Sequence, residues 1–451
     1  MMNLDKIDNI FFIGIGGMGM SSLAEYFINE NKYVGGYDRD ISENTERLQK
    51  LGIEISFHDS FDRVNSRFLS KENTLIVYTP AIPASNNLLS EFRGNKFTSV
   101  KRAELLGLVV NKGKCIAIAG THGKTTTTCI LAHLLNSSNI PTTSFIGGIS
   151  ENYNSNFLYN ENQLFLVEAD EYDKSFLNLS PDYACITSID PDHLDIYNDF
   201  KGVESGFISF INNIKSDGFL IVQENLDYNY PKYGLSHNSD YSIENIRIHD
   251  GSYLFDIVTP ENKYKNLKFS IPGKHNLMNA LAAFVISIKL GCEFNLLKSA
   301  LESFKGVKRR FTYHIRTKNR IYIDDYAHHP KEINSVYEAL KEIYPEQDIL
   351  VAFQPHLFTR TRDFVEEFAD SLSQFDAVLL LDIYPARETP IDGVSSSWLL
   401  DKINSPIKKL VDKSDLSLEI LNQNMKINVT LGAGDIGDEC MKIKKSLEYE
   451  N

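Results

Sequence analysis

The segment AIAGTHGKTTTT places glycines, a lysine and several hydroxyl side chains directly after an apolar run. Gly120 and Gly123 would let backbone N–H groups approach phosphate oxygens, and a helix beginning near Lys124 would point its positive end at them. Lys124 could neutralise the outer phosphates, and the hydroxyl of Thr125 could bind Mg²⁺. The strict P-loop motif has a glycine where this chain has Ile118. The segment therefore predicts a nucleoside triphosphate site of a shorter G-T-x-G-K-T type, with a surface turn as the alternative.

A second glycine-rich segment, FFIGIGGMGMSSLAEYF, lies near the start of the chain. Gly14, Gly16 and Gly19 spell G-x-G-x-x-G, and Asp38 follows the next predicted strand, where dinucleotide-binding folds place an acid for the ribose. The same spacing recurs in GAGDIG near the C terminus, where too little chain follows for another strand and acid, so that copy predicts a packing turn. The first copy predicts a turn that holds a pyrophosphate, which either a dinucleotide or a UDP-linked sugar would supply.

Acidic and imidazole side chains follow the next two predicted strands. Glu168 ends the strand in FLVEADEYDKSF, at the edge of the sheet where ligands of open α/β sheets bind, and it could share a Mg²⁺ ion with the phosphates. His193, in TSIDPDHLD, follows the next strand and could serve a second metal or the phosphates. The alternatives are a solvated acidic loop and a hydrogen-bonded structural histidine.

Two further groups of polar side chains invite a functional interpretation. Asn276 and Asn279 lie three residues apart at a predicted helix start, which suits the edge of a purine, although helix N-capping also explains Asn276. FQPHLFTRTRDF follows a predicted strand with His356, Arg360 and Arg362, which could bind a carboxylate or phosphate. An exposed basic helix start is the alternative for the second group.

Composition limits the function classes. The chain has 451 residues and a formal net charge of −14, which disfavours nucleic acid as a partner because phosphate backbones need a basic face. No apolar run is long enough for a membrane span, and the N terminus does not resemble a secretory signal, so we expect a cytoplasmic protein without membrane insertion. The five cysteines are widely spaced, which predicts buried thiols in place of disulfides or a metal site.

The order of predicted elements indicates an α/β protein of about three domains. Apolar residues 20, 23, 24 and 27 form a helical stripe after the first strand, which predicts a parallel, doubly wound N-terminal domain. A similar stripe at residues 130, 131, 134 and 135 follows the glycine-rich loop that contains Lys124, the lysine loop. Residues 225–270 predict an antiparallel elaboration, and a third α/β unit runs from about residue 310 to the end.

Taken together and in order, these motifs resemble those of the Mur ligase family, the ATP-dependent amide ligases of peptidoglycan precursor synthesis. The resemblance runs from about residue 10 to residue 440. It is carried by GIGGMGMSSLAE, GTHGKTTT, EADEYDKSF, DPDHLD, GKHNLMNALAA, GVKRRF, DDYAHHP, QPHLFTRTRD and GAGDIG.

The resemblance implies three domains and two nucleotide sites. An N-terminal Rossmann-like domain (1–104) would bind the UDP-linked substrate, a central P-loop ATPase-like mixed α/β domain (105–308) would bind ATP and Mg²⁺, and a C-terminal Rossmann-like domain (309–451) would close on both. The protein is expected to act on small molecules as a monomer or a dimer.

Residue roles are also implied by the resemblance. The residues carried over as catalytic are Lys124, Glu168, His193 and Arg310. Those on the ATP side are Gly120, Thr121, His122, Gly123, Lys124, Thr125, Thr126, His275, Asn276, Asn279, Arg310 and Asp325, with Thr125, Glu168 and His193 as the metal ligands. Those on the substrate side are Gly14, Gly16, Gly17, Met18, Gly19, Asp38, His58, His329, His356 and Arg360.

The implied reaction joins L-alanine to the lactyl carboxylate of UDP-N-acetylmuramate through an acyl phosphate. A family member that attaches a tripeptide to the same carboxylate is the nearest alternative, although HLFTRTRD favours the alanine reaction. A nicotinamide oxidoreductase would explain Gly14 to Asp38 but leaves GTHGKTT without a role. A nucleotide-binding sensor without chemistry is the third alternative.

Overall fold

The structure is a computed structural model of the chain. It describes residues 4–83, 85–161, 163–190, 200–249, 251–386 and 388–448.

The N-terminal part of the chain forms a five-stranded parallel sheet with the order β3-β2-β1-β4-β5. Its strands are β1 (Asn9–Ile13), β2 (Tyr33–Tyr37), β3 (Glu54–Ser56), β4 (Thr74–Tyr78) and β5 (Thr98–Lys101). Its helices are α1 (Met18–Asn29), α2 (Glu43–Lys50), α3 (Asn87–Gly94) and α4 (Arg102–Val110), with short 3-10 helices at Leu4–Lys6, Phe61–Arg63 and Ser66–Leu69.

The strand order reverses at β1, which pairs in parallel with β2 on one side and with β4 on the other. A crevice therefore opens at the carboxyl end of β1, where the first glycine turn lies. The stripe on α1, formed by Met20, Leu23, Ala24 and Phe27, is buried against this sheet. The predicted parallel, doubly wound arrangement is confirmed.

The middle sheet has ten strands in the order β15-β14-β13-β12-β11-β10-β6-β9-β7-β8. They are β6 (Lys114–Ala119), β7 (Thr143–Ser150), β8 (Ser155–Leu158), β9 (Leu164–Ala169), β10 (Tyr183–Ile186), β11 (Phe219–Gln223), β12 (Lys232–Gly234), β13 (Tyr241–His249), β14 (Ser252–Val258) and β15 (Lys263–Phe269). The helical segments that go with them are α5 (Lys124–Ser137), the 3-10 helix Tyr172–Asn178, α6 (Phe200–Asn212), α7 (Lys274–Lys289) and α8 (Phe294–Ser303).

Two details of this sheet differ from the sequence prediction. The stripe on α5 is buried, but so is every other residue from Thr126 to Leu135, because this helix packs against α8 as well as against β6, β7 and β9. The predicted antiparallel elaboration is wrong at its start, since β12 pairs in parallel with both β11 and β13. The two strands on either side of the Pro-Glu-Asn turn are present as β14 and β15, and Thr259 and Asn262 close the turn between them.

The C-terminal sheet has the order β16-β17-β21-β18-β19-β20, and β16 is its antiparallel edge. Its strands are β16 (Thr312–Arg316), β17 (Ile321–Asp325), β18 (Ile349–Phe353), β19 (Ala377–Leu380), β20 (Ile407–Leu410) and β21 (Ile427–Leu431). Its helices are α9 (Pro330–Ile343), α10 (Phe358–Asp363), α11 (Val365–Leu372), α12 (Ser396–Lys402), α13 (Leu416–Gln423) and α14 (Cys440–Glu448), with a 3-10 helix at Asp435–Glu439. The two faces of the sheet bury separate apolar clusters, as a doubly wound sheet requires.

The chain forms two compact units. The first holds Met1–Asn245, Phe255–Leu267 and Met278–Phe304, and the second holds Ile246–Leu254, Lys268–Leu277 and Lys305–Asn451. Domain boundaries after residues 104 and 308 stay predictions. All five cysteines are buried free thiols, as predicted. Among the described residues, no helix is both long and apolar enough to cross a membrane.

The close approach of β1 and β2 predicts that a side chain at Gly36 would lower the stability of the fold. A Cβ atom on Gly36 would lie 2.5 Å from the backbone oxygen of Phe12, which cannot move without distorting β1. We therefore expect Gly36→Ala to lower the free energy of unfolding by about 2 kcal/mol, measured by urea denaturation with far-UV circular dichroism.

Gly94→Ala is the matched control, since Gly94 ends α3 and a Cβ atom there meets nothing within 4 Å. This control should be neutral or stabilising by up to about 1 kcal/mol. Equal effects of the two substitutions would contradict the close approach of the strands.

Candidate active site

The loop between β6 and α5 has the geometry of a phosphate site. Gly120 and Gly123 have φ values of 136° and 82°, a backbone region that favours glycine. A side chain on Gly120 would overlap the hydroxyl of Thr187, and a Cβ atom on Gly123 would lie 2.7 Å from the side-chain oxygen of Asn279. The glycines therefore allow the strand-to-helix turn and leave backbone N–H groups at the start of α5.

Lys124 forms a buried ion pair with Glu171. The ammonium nitrogen lies 2.7 Å from one carboxylate oxygen and 3.0 Å from the other, and it also donates to the backbone oxygen of Gly120 at 2.5 Å. Burial disfavours the ammonium ion, but the carboxylates of Glu171, Asp170 and Glu168 outweigh burial and raise the pKa of Lys124 above its usual value. Lys124 is therefore charged and held over the loop.

Thr125 and Glu168 meet at the carboxyl end of β9. The Thr125 hydroxyl donates to Oε1 of Glu168 at 2.9 Å, while Oε2 accepts from the backbone N–H of Gly147 at the same distance. A hydroxyl and a carboxylate are hard oxygen donors, and Mg²⁺ uses a few such groups together with phosphate oxygens. This pair fits a Mg²⁺ site. His193, the third predicted ligand, lies outside the described residues.

The rest of the loop is tied to the segment after β10. The hydroxyl oxygens of Thr121 and Ser188 are 2.9 Å apart, and the backbone N–H of His122 donates to the Ser188 hydroxyl at 2.8 Å. The ring of His122 lies 3.7 Å from the carboxylate of Asp190, and Thr126 is buried in the first turn of α5. These contacts fix the loop shape between two neighbouring strands.

The adenine-side candidates occupy the first turns of α7. Asn279 lies against the lysine loop, as its proximity to Gly123 shows. Asn276 lies within the helix and donates its side-chain N–H to the backbone oxygen of Pro272 at 2.6 Å, so the N-cap interpretation is wrong. His275 is exposed at the start of the same helix.

In the second unit, Asp325 at the end of β17 organises a turn. Its carboxylate accepts from the backbone N–H of Phe311 at 2.6 Å and of Ala327 at 2.7 Å. Burial raises its pKa to about 6, against the opposing effects of the Arg310 charge and the two amides. The guanidinium of Arg310 lies 5.1 Å from the ring centroid of Tyr326.

The GAGDIG segment is a packing turn. Arg309 pairs with Asp324 at 3.1 Å and donates to the backbone oxygen of Gly432 at 2.6 Å. A Cβ atom on Gly437 would lie 2.5 Å from the guanidinium carbon of Arg309. The glycine spacing therefore makes room for an arginine, as expected for a packing turn.

Two of the predicted substrate-side residues of the second unit contact each other. His356 stacks on Tyr384 at 5.6 Å between ring centroids, and its Nδ1 lies 3.4 Å from a guanidinium nitrogen of Arg360. His329 is instead the N-cap of α9, where its Nδ1 accepts from the N–H of Lys331 at 3.4 Å. His356 and Arg360 are thus brought together, and the ring of His329 packs against Phe364, the residue that follows α10.

The first glycine turn joins β1 to α1 and is hydrogen-bonded to the acid that follows β2. Asp38 follows β2, and its carboxylate accepts from the backbone N–H of Gly16 at 2.7 Å and of Arg39 at 2.8 Å. It therefore shapes the turn. Gly14 has a φ of 86° and Gly17 is the N-cap of α1, so Met18 and Gly19 form the first turn of that helix.

His58 lies elsewhere in the N-terminal sheet region. It lines a surface cleft together with Ser56, Arg63 and Asn65.

Sequence reasoning missed two charged residues at these loops. Glu171 was within the predicted acidic loop but is only 1% exposed, and its pairing with Lys124 joins positions distant in the chain. Arg102 begins α4 and lies against Gly19. A buried lysine in a phosphate loop needs a countercharge, and that requirement is the signal that could have singled out Glu171.

Three family models match the chain. The Mur ligase family catalytic domain matches residues 9–114, the Mur ligase middle domain matches residues 118–287, and the Mur ligase glutamate ligase domain matches residues 309–429.

Named relatives are similar over the full length. The chain is 50% identical over 451 residues to the UDP-N-acetylmuramate--L-alanine ligase of Christiangramia forsetii, covering 100% of each. The solved UDP-N-acetylmuramate-alanine ligase MurC of Thermotoga maritima is 27% identical, with a TM-score of 0.84 over 98% of this chain and 100% of that one. A murein peptide ligase of Psychrobacter arcticus, 20% identical with a TM-score of 0.69 over 97% and 98% of the two chains, shares the fold.

The buried pair of Lys124 and Glu171 predicts a non-additive effect on stability. Lys124→Ala leaves a buried carboxylate without its partner and should lower the free energy of unfolding by about 3 kcal/mol. Adding Glu171→Gln to that variant removes the stranded charge and should recover most of the loss, as measured by urea denaturation of the single and double variants. Additive losses would contradict a buried ion pair.

The raised pKa of Asp325 predicts a pH effect of defined sign. An unfolded aspartate protonates near pH 4, while native Asp325 does so near pH 6, so the native state binds the extra proton between these values. Stability from this group is complete below pH 4 and is lost as pH rises through 6, by roughly 3 kcal/mol. Subtracting the unfolding profile of Asp325→Asn from that of the wild type, between pH 4 and 7, should reveal this slope; parallel profiles would refute it.

Proposed function

The chain belongs to the Mur ligase family, and we propose that it joins L-alanine to the lactyl carboxylate of UDP-N-acetylmuramate at the expense of ATP. The observation that carries the proposal is the arrangement of Lys124, Thr125 and Glu168 around a glycine loop at the start of a helix. The name of the 50% identical relative supports the choice of substrates.

The proposed reaction has two chemical steps. A lactyl carboxylate oxygen attacks the γ-phosphorus of ATP, the bond to the bridging oxygen breaks, and ADP leaves. The amine of L-alanine then attacks the acyl carbon, and the tetrahedral intermediate expels phosphate to leave an amide. The products are UDP-N-acetylmuramoyl-L-alanine, ADP and phosphate.

The first step brings together two anions, so the site must offset their charge. Lys124 would exchange Glu171 for the outer phosphates, and the N–H groups at the start of α5 would donate to phosphate oxygens. Thr125 and Glu168, with His193, would hold Mg²⁺, which when bound offsets phosphate charge and aligns the phosphate oxygens. Arg310 would contribute a further cation.

The remaining residues would bind the two nucleotides and the acceptor. For ATP, the proposal assigns contacts to the loop residues Gly120, Thr121, His122, Gly123 and Thr126 and to His275, Asn276, Asn279 and Asp325. For UDP-N-acetylmuramate, contacts are assigned to Gly14, Gly16, Gly17, Met18, Gly19, Asp38 and His58. His329, His356 and Arg360 are assigned to the muramyl or amino-acid group.

A ligase that attaches a tripeptide to the same carboxylate would use the same arrangement for the first step. The likeness to the murein peptide ligase concerns the fold alone, at 20% identity. The identity of the amine is therefore what the functional assay must compare.

Phosphate release in the presence of UDP-N-acetylmuramate and ATP tests the proposal. We expect release to depend on L-alanine, with little release for the tripeptide; glycine and serine are compared in the same assay. If phosphate is released with the tripeptide but not with L-alanine, the amine substrate is the tripeptide and the proposed amine is wrong. A change in NADH absorbance without ATP, or binding of both nucleotides without an amide product, would contradict a ligase.

Lys124 should be essential to this turnover. Lys124→Ala should lower kcat/KM at least about a thousandfold, because a cation at the outer phosphates is lost. The double variant with Glu171→Gln is expected to recover stability without recovering turnover, which separates catalysis from folding. Lys112→Ala, at an exposed lysine that lies 3.5 Å from Asp5, should retain wild-type turnover. Substantial activity in the double variant would refute the role of Lys124.

A further inference from the structure

Arg102 occupies the space beside the third glycine of the first glycine motif. A Cβ atom on Gly19 would lie 2.5 Å from a terminal guanidinium nitrogen of Arg102 and 3.1 Å from its Cδ. Gly19 is in the first turn of α1, and Arg102 is the first residue of α4. The absence of a side chain at Gly19 therefore lets a cation lie against the turn.

The guanidinium of Arg102 has a longer ion-pair contact than the ammonium group of the adjacent Lys101. Arg102 lies 3.7 Å from the carboxylate of Asp170, whereas the adjacent Lys101 is hydrogen-bonded to Asp173 at 2.8 Å. The Asp170 side chain is 37% exposed, and ion pairs of this kind contribute little to stability because water competes for both charges. An anion of higher charge than a carboxylate could therefore replace Asp170 as the partner of Arg102.

Arg102 also lies between two loops with different roles. On one side is the glycine turn, and on the other is the acidic segment, residues 168–173 at the end of β9, whose Glu168 and Glu171 bind Thr125 and Lys124. A guanidinium can donate two parallel hydrogen bonds to phosphate oxygens, which an ammonium cannot do.

We propose that Arg102 binds the pyrophosphate of the UDP-linked substrate and exchanges its contact with Asp170 for this anion. The inference rests on the proposed function, which places UDP-N-acetylmuramate at the glycine turn. Because Arg102 lies directly against Gly19, its guanidinium can bind a pyrophosphate held at the glycine turn.

The test compares Arg102→Ala with Lys101→Ala, which removes the same charge one residue away. Arg102→Ala should raise the Kd for UDP, measured calorimetrically, and the KM for UDP-N-acetylmuramate by about 10- to 100-fold. The KM for ATP should not change, and kcat should stay within about threefold. Lys101→Ala should change the Kd for UDP less than about threefold.

Two further variants test the contact between Arg102 and the pyrophosphate and the replacement of Asp170 by that anion. Arg102→Lys retains the charge without the fork and should give an intermediate Kd for UDP. Asp170→Asn keeps the shape of the side chain but removes the competing charge, so UDP should bind about two- to fivefold more tightly.

Distinct outcomes separate this inference from the proposed function. A wild-type protein that turns over UDP-N-acetylmuramate, together with an Arg102→Ala variant of unchanged KM, would overturn the role of Arg102 alone. Equal losses in Arg102→Ala and Lys101→Ala, or weaker UDP binding by Asp170→Asn, would also overturn it. A wild-type protein that binds neither UDP nor UDP-N-acetylmuramate would overturn both.

Discussion

A buried ammonium ion needs a countercharge, and this requirement determines how the loop between β6 and α5 is built. Lys124 is largely removed from water and would be costly to keep charged without the carboxylate of Glu171, which is itself buried. The carboxylate of Glu171 is the partner of the ammonium group. In the proposed complex with ATP, a phosphate would take its place. In the proposed reaction, nucleotide binding at this loop would exchange one anion for another.

The acidic segment, residues 168–173 at the end of β9, extends this electrostatic arrangement beyond the loop between β6 and α5. Glu168 binds Thr125, Glu171 binds Lys124, and Asp170 and Asp173 face Arg102 and Lys101 at the start of α4. Asp173 and Lys174 have φ values of 52° and 55°, a strained region for such residues that the surrounding contacts must maintain. One short segment therefore links the ATP loop to the glycine turn, within the first unit.

The sequence predicted those features that depend on local pattern. Glycine and lysine spacing predicted a strand-to-helix loop before α5, and the stripe on α1 predicted a helix packed on a sheet. Pairings between distant residues were not predictable in this way. Glu171 could be recognised only once Lys124 was known to be buried, and Arg102 only once it was found beside Gly19.

Other failures have different physical causes. Strand β20 reads IKKL and all four of its residues are exposed, so no apolar alternation indicates a strand. Asn276 has a residue type that favours N-caps, but the helix begins two residues earlier and its side chain donates to Pro272 instead. In both cases the context supplied by neighbouring elements outweighs the local preference.

The formation of an acyl phosphate is the central chemical claim, and isotope transfer tests it directly. UDP-N-acetylmuramate labelled with ¹⁸O at both lactyl carboxyl oxygens would be converted with ATP and L-alanine, and the released phosphate analysed by mass spectrometry. Attack by the carboxylate on the γ-phosphorus predicts one ¹⁸O atom in each phosphate and one in the amide carbonyl. Unlabelled phosphate released together with the amide product would contradict the account.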